Sequence, residues 1–167
     1  MGYLHIYCGD GKGKTTAAFG LAVRAAGAGM NVHIAQLLKG SESAEVDVLR
    51  KIARITLSRC DRDYGFTFNM SDEDKRAITE CHNRLIEGAF ASGADIIILD
   101  EFNAAYNCGL LNRKRAEELI LQKKAEIVLT GRDPAEIFCN AADYYSEIKC
   151  VRHPYEKGIS ARIGIEY

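Results

Sequence analysis

The sequence has no CxxC pair and only two prolines, Pro134 and Pro154. Without a CxxC pair it lacks the framework of a zinc ribbon or finger. Scarce proline, with no low-complexity tract and no repeat, leaves nothing that reads as a linker, so one domain over residues 1–167 is expected. No apolar run approaches the roughly 20 residues that span a bilayer. Tyr3-Leu4-His5-Ile6-Tyr7 is too short and too polar for the apolar core of an export signal. Charge is balanced, with 22 Lys and Arg against 23 Asp and Glu, so no general basic excess speaks for nucleic acid. What is present is the make-up of an ordinary globular protein, long enough for a sizeable core. Six cysteines, Cys8, Cys60, Cys81, Cys108, Cys139 and Cys150, read as reduced and mostly buried thiols. With no export signal, they point to the cytoplasm.

Short apolar runs recur between longer helical stretches. The runs are Leu4 to Cys8, Val32 to Leu37, Ile96 to Leu99, Ile127 to Leu129 and Ile148 to Val151. Ile96 to Leu99 has no polar face, as expected of a strand covered on both sides in a parallel sheet. Lys14 to Ala26, Asp72 to Ala91 and Arg113 to Lys124 read as helices. Gly27 and Gly29 close the first, Ser71 with Asp74 opens the second, and Asn112 caps the third. Strands alternating with helices predict an α/β domain with a doubly wound, mostly parallel sheet. Ligands of such sheets gather at the carboxyl ends of the strands.

The strongest motif stands at the first of those ends. Cys8 is followed by Gly9-Asp10-Gly11-Lys12-Gly13-Lys14-Thr15-Thr16, which runs directly into the first helix. Glycines let successive backbone N–H groups turn inward on anionic oxygens, and the helix N-terminus adds partial positive charge. This is a P-loop: Lys14 reaches the outer phosphates of ATP and the Thr15 hydroxyl joins a bound Mg²⁺ or Mn²⁺. It departs from G-x-x-x-x-G-K-[ST] in one place, because Cys8 holds the first glycine slot.

Ile96 to Leu99 ends in Asp100-Glu101, the form of the partner strand in P-loop proteins. Asp100 or Glu101 would hold the metal, directly or through water. Arg24 lies on the Thr16–Gly20–Arg24 stripe, and helical side chains lean towards the N-terminus. It either points back at the loop or pairs with an acid on the surface. Thr130-Gly131-Arg132 ends another strand; Arg132 either serves a phosphate or sits in an ordinary turn. Tyr64-Gly65-Phe66-Thr67-Phe68 is an aromatic segment without periodicity, whose rings on residue chemistry alone either pack in the core or meet a ligand.

Five blocks, in order along nearly the whole chain, resemble the P-loop, RecA-like family of ATP:corrinoid adenosyltransferases. They are Gly9 to Arg24, Gln36 to Gly40, Gly65 to Phe68, Leu99 to Glu101, and Thr130 to Arg132 with the tail from Val151 to Tyr167. The displaced first glycine and the additional Lys12 are family features. The resemblance implies that Co(I) of a corrinoid attacks the 5′ carbon of ATP and that inorganic triphosphate leaves. Lys14, Lys12, Arg24 and the metal would stabilise the leaving charge. Phe66 and Phe68, with Tyr64 nearby, would cover the lower corrin face and displace the axial ligand, easing reduction of Co(II). A flavin-type electron donor and a homodimer are implied in the same way. Three departures stand out. Phe68 occupies a position that is often Trp in the family. Asp10 replaces the usual Asn, so its carboxylate should point away from phosphate or contact ribose or metal. The first strand opens the chain, where well-known members carry an extension that helps close the site. A P-loop nucleoside or small-molecule kinase would share the loop and the acidic strand but leave the aromatic block unused. A non-catalytic ATP switch would bind ATP without corrinoid chemistry.

Overall fold

The computed structural model describes residues 1–39, 44–62, 64–65 and 69–165. Six strands form one parallel sheet: β1 (Leu4–Cys8), β2 (Val32–Gln36), β3 (Ile55–Arg59), β4 (Ile96–Asp100), β5 (Glu126–Thr130) and β6 (Tyr144–Glu147). Their spatial order is β3-β2-β4-β5-β1-β6, and every paired neighbour runs parallel. The α/β, doubly wound, P-loop reading therefore holds. Among the described residues no helix is long and apolar enough to cross a membrane.

Side-chain alternation along the central strands builds a core on each face of the sheet. Ile96 and Ile98 pack with Val32, Ile34 and Val128 against Ala18, Phe19, Ala22 and Ala25. Those four belong to α1 (Lys14–Gly27), whose small inward residues let it lie close on the strands. Ile97 and Leu99 face the other way, with Leu4, Ile6, Ile127 and Leu129. They are covered by α3 (Asp72–Ala91), α4 (Phe102–Asn107), α5 (Arg113–Leu121) and α6 (Glu136–Ala141). Phe102, Tyr106 and Phe138 meet there with ring centroids 5.2–5.8 Å apart.

The anticipated caps are present at two helices. Ser71 Oγ accepts from the Asp74 N–H at 3.1 Å and donates to the Asp74 carboxylate at 2.8 Å. Asn112 accepts from the Arg115 N–H. At α1 the helix runs through Gly27 and is capped by Ala28, with Gly29 just beyond at φ +89°.

Two sequence expectations are corrected. The last strand is Tyr144–Glu147, not Ile148 to Val151. Its residues are all exposed on the sheet edge, so no apolar signal marks it, while the residues after it brace the phosphate loop. Strand β3 and helices α2 (Ala44–Leu49), α4 and α6 also went unpredicted, each having six residues or fewer. The thiols are not all reduced: Cys60 and Cys81 form a disulfide between the end of β3 and α3. Of the four free cysteines only Cys8 is buried; Cys108 is exposed, and Cys139 and Cys150 are intermediate. The sequence offers no pairing motif because the two positions are joined by strand-to-helix packing, not by local spacing.

Candidate active site

The phosphate loop is braced from behind by the chain beyond β6. Ile148 donates its N–H to the Cys8 carbonyl, and its own carbonyl accepts the Gly11 N–H, both at 2.8 Å. The approach is too close for side chains. A Cβ on Gly9 would lie 2.4 Å from the Ile148 oxygen, and one on Gly11 would lie 2.7 Å from it. Gly9 also sits at φ +101°, in the region open mainly to glycine. The glycines thus serve loop support as well as the loop's own curl.

Asp10 obeys the same logic. Its Oδ1 accepts the Cys150 N–H at 3.1 Å. That backbone hydrogen bond is the largest cause holding its carboxyl below the ordinary range. The carboxylate is therefore turned to the bracing segment, as a residue that must point away from phosphate should be.

Lys14 Nζ donates to the Gly11 carbonyl at 2.8 Å, which folds the ammonium back over its own loop. Lys12 Nζ donates to the Ile165 carbonyl, reaching the tail instead. Arg24 is exposed on α1, close enough to Tyr7 for its charge to oppose the rise that burial imposes on that phenol. Arg132 is exposed beyond β5, and its charge acts on both Asp10 and Glu101.

Sheet order assembles the acidic half. Strand β5 lies between the loop strand β1 and the acidic strand β4, so Thr130 at the end of β5 and Thr15 beyond β1 both reach Asp100. Asp100 is fully buried. Its Oδ1 accepts from Thr15 Oγ1 at 2.8 Å and from Thr130 Oγ1 at 2.7 Å. Its Oδ2 accepts from Gln36 Nε2 at 3.1 Å and lies 3.5 Å from Lys39 Nζ. Four donors from β2, β5, α1 and the β2 exit thus satisfy one buried carboxylate, which would otherwise be costly. Glu101 lies just past the strand at φ +58°. Its N–H donates to Thr130 Oγ1 at 3.0 Å. Burial, then the adjacent Asp100 carboxylate, push its carboxyl above the ordinary range, against Lys39, Lys14 and Arg132.

The structure therefore brings Thr15, Asp100 and Glu101 together. It also adds Thr130, Gln36 and Lys39, which sequence reasoning placed in motif blocks without assigning them to the site. The signal was available: Thr130 ends an apolar strand as Asp100 does. Of the aromatic segment, Tyr64 packs with Met70, Ile78, Leu110 and Leu38, and the Arg62 guanidinium stands 5.0 Å from its ring centroid. Phe66 and Phe68 lie outside the described residues.

The donor set suits a hard divalent cation, being a hydroxyl and two carboxylates. Among the described residues no group of three or more His, Cys, Asp or Glu side chains stands ready as a cage. Substrate phosphate oxygens would complete the shell, the usual situation for Mg²⁺.

Comparison with known proteins shows the family. The model of the family described as "ATP:corrinoid adenosyltransferase BtuR/CobO/CobP" matches residues 1–167. The corrinoid adenosyltransferase of Pseudomonas aeruginosa is 30% identical over 99% of this chain and 84% of its own length. Those of Escherichia coli K12 and Salmonella typhimurium are 27% and 30% identical over 99% of this chain and 86% of theirs. Among solved structures, the cytoplasmic domain of EssC is similar with a TM-score of 0.54, at 17% identity, over 96% of this chain and 34% of that one. A KaiC-like protein from Pyrococcus horikoshii gives 0.50, at 16% identity, over 87% and 71%. These two likenesses bear on the fold alone.

Proposed function

Because the chain belongs to the ATP:corrinoid adenosyltransferase family, we propose that it transfers the 5′-deoxyadenosyl group of ATP to the Co(I) of a corrinoid, with inorganic triphosphate as the leaving group. The observation that carries this reading to particular residues is the hydrogen-bonded bridge from Thr15 through the buried Asp100 to Thr130 beside a lysine-bearing phosphate loop. It fixes a charged cradle for a triphosphate, which suits a reaction whose nucleophile is the substrate's metal. The cobalt electron pair forms the Co–C bond as the C5′–O bond breaks. The released pair leaves on triphosphate.

In this reading the chain orients and neutralises. The loop's backbone N–H groups between Gly9 and Thr16, apart from that of Gly11, which is taken by the Ile148 carbonyl, and the Lys14 ammonium hold the triphosphate, with Lys12, Arg24 and Arg132 supplying further charge. Thr15, Asp100 and Glu101 would hold Mg²⁺ or Mn²⁺, which when bound offsets charge gathering on the leaving group. Tyr64, Phe66 and Phe68 would receive the corrin face and keep the lower axial position free. A flavin-type reductant supplying Co(I), a homodimer, a single catalytic domain and a cytoplasmic setting complete the proposal on family likeness.

Incubation with ATP, Mg²⁺ and chemically reduced cobalamin tests it. The adenosylcobalamin spectrum should appear with one inorganic triphosphate per turnover. ADP in place of triphosphate would make the protein a kinase, and ATP binding without corrinoid product would make it a switch. The aromatic role has its own test. Phe68→Ala should slow reaction from Co(II) with a flavin reductant at least about tenfold more than reaction from preformed Co(I), since lost ring contact removes roughly 1–3 kcal/mol of stacking. Equal losses in both assays would remove the face-covering role.

A further inference from the structure

His82 on α3 is fully buried, and it is not one of the residues that would touch either substrate. Its imidazole joins three parts of the chain. Nδ1 lies 2.8 Å from the Leu110 carbonyl, after α4. Nε2 lies 3.2 Å from the Leu38 N–H, after β2. A carbonyl only accepts and an amide N–H only donates, so the two partners together require the neutral ring with its proton on Nδ1. Burial favours the same neutral form, outweighing the opposite pull of the Leu110 carbonyl.

The Leu38 contact matters because it lies one residue before Lys39. Leu38 sits at φ +55°, a conformation that a branched, bulky residue holds only when its surroundings enforce it. The Lys39 ammonium stands 3.5 Å from Asp100 Oδ2, and its charge also acts on Glu101. The backbone here is held twice, since Arg59 Nη2 donates to the Lys39 carbonyl at 3.0 Å. His82 and Arg59 thus grip the turn from opposite ends, and Lys39 is what the turn delivers.

We infer that His82 is a positioning residue: by accepting the Leu38 N–H it holds the left-handed turn that sets Lys39 against the Asp100–Glu101 pair, and so tunes how that pair receives metal-bound ATP. The inference rests on the ATP reading of the site. It concerns the nucleotide half alone and needs no corrinoid.

Two substitutions separate the two ring nitrogens. In His82→Asn the side-chain amide sits near the Nδ1 position and can still donate to Leu110, but nothing reaches Leu38. In His82→Gln the amide oxygen reaches the Nε2 position and can still accept from Leu38. ATP binding is measured by calorimetry across a Mg²⁺ titration without corrinoid, and exchange of the Leu38 amide with solvent is monitored alongside. His82→Asn should raise the Mg²⁺ needed for half-maximal ATP binding about tenfold and expose the Leu38 amide; His82→Gln should restore both. Equal behaviour of the two variants, or losses that merely track the folded fraction, would overturn the inference. Should neither variant fold, Lys39→Met decides: a similar Mg²⁺ shift supports it, and an unchanged titration overturns it. Absence of any ATP binding by the unmodified protein would instead remove the functional reading on which it rests.

Discussion

Replacing Lys14 with alanine is expected to reduce adenosyl transfer by about 10³-fold at saturating ATP, while leaving the protein folded. Loss of a single preorganised charge-stabilising donor costs about 10²–10³ in turnover, and in the proposed reaction Lys14 would bring an ammonium to the leaving triphosphate. The neighbouring cations have other partners in the structure. Lys14 Nζ is folded over the loop onto Gly11, whereas Lys12 reaches the Ile165 carbonyl and Arg132 stands where it acts on Asp10 and Glu101. Fold loss is not expected, because the side chain is only half-buried and its one hydrogen bond is to a loop carbonyl. Turnover by the variant, with helical content checked by circular dichroism, settles the matter. Near-normal turnover would remove the assigned phosphate loop from the mechanism.

Asp100→Asn should lower turnover about 10²-fold and raise the divalent-metal requirement. The change is isosteric, so its effect is electronic. One amide oxygen can still accept from Thr15 and Thr130. The amide NH₂, however, replaces the oxygen that accepts from Gln36 and faces Lys39. Gln36 can accommodate it: its Oε1 is buried without a hydrogen-bond partner among the described residues, and turning that oxygen inward would accept the new N–H. Lys39 cannot, having no acceptor to gain. The fold should therefore survive, while the Asp100–Glu101 pair loses a charge. Metal titration of activity is the check. An unchanged titration would leave Glu101 as the sole carboxylate of consequence.

Much of this was legible because the strongest sequence signals arise from the most constrained parts. The phosphate loop, the buried run Ile96 to Leu99 and the carboxylates after it each answer to one local requirement, and local requirements leave local patterns. Ser71 and Asn112 were recognisable as caps for the same reason. The short elements left no such trace. Strand β6 is an exposed edge, and it pairs because β1 offers a free side, not because its residues are apolar. The segment expected to form it, from Ile148 onward, instead braces Gly9 and Gly11, a contact between residues about 140 positions apart. The Cys60–Cys81 link depends equally on tertiary packing. Within the site, the loop lysine and the acidic strand end were readable one at a time. That Thr130 joins Thr15 at one carboxylate oxygen depends on strand order, which residue patterns do not specify.

The interposition of β5 between β1 and β4 has a mechanical consequence. Adjacent strands lie about 4.8 Å apart, so the phosphate loop and the acidic carboxylate spring from strands roughly 9.6 Å apart, with Thr130 on the strand between. The width of the site is thus two repeats of the sheet, as rigid as the backbone ladder itself. Loops around it can lengthen, shorten or change partner without altering that gauge.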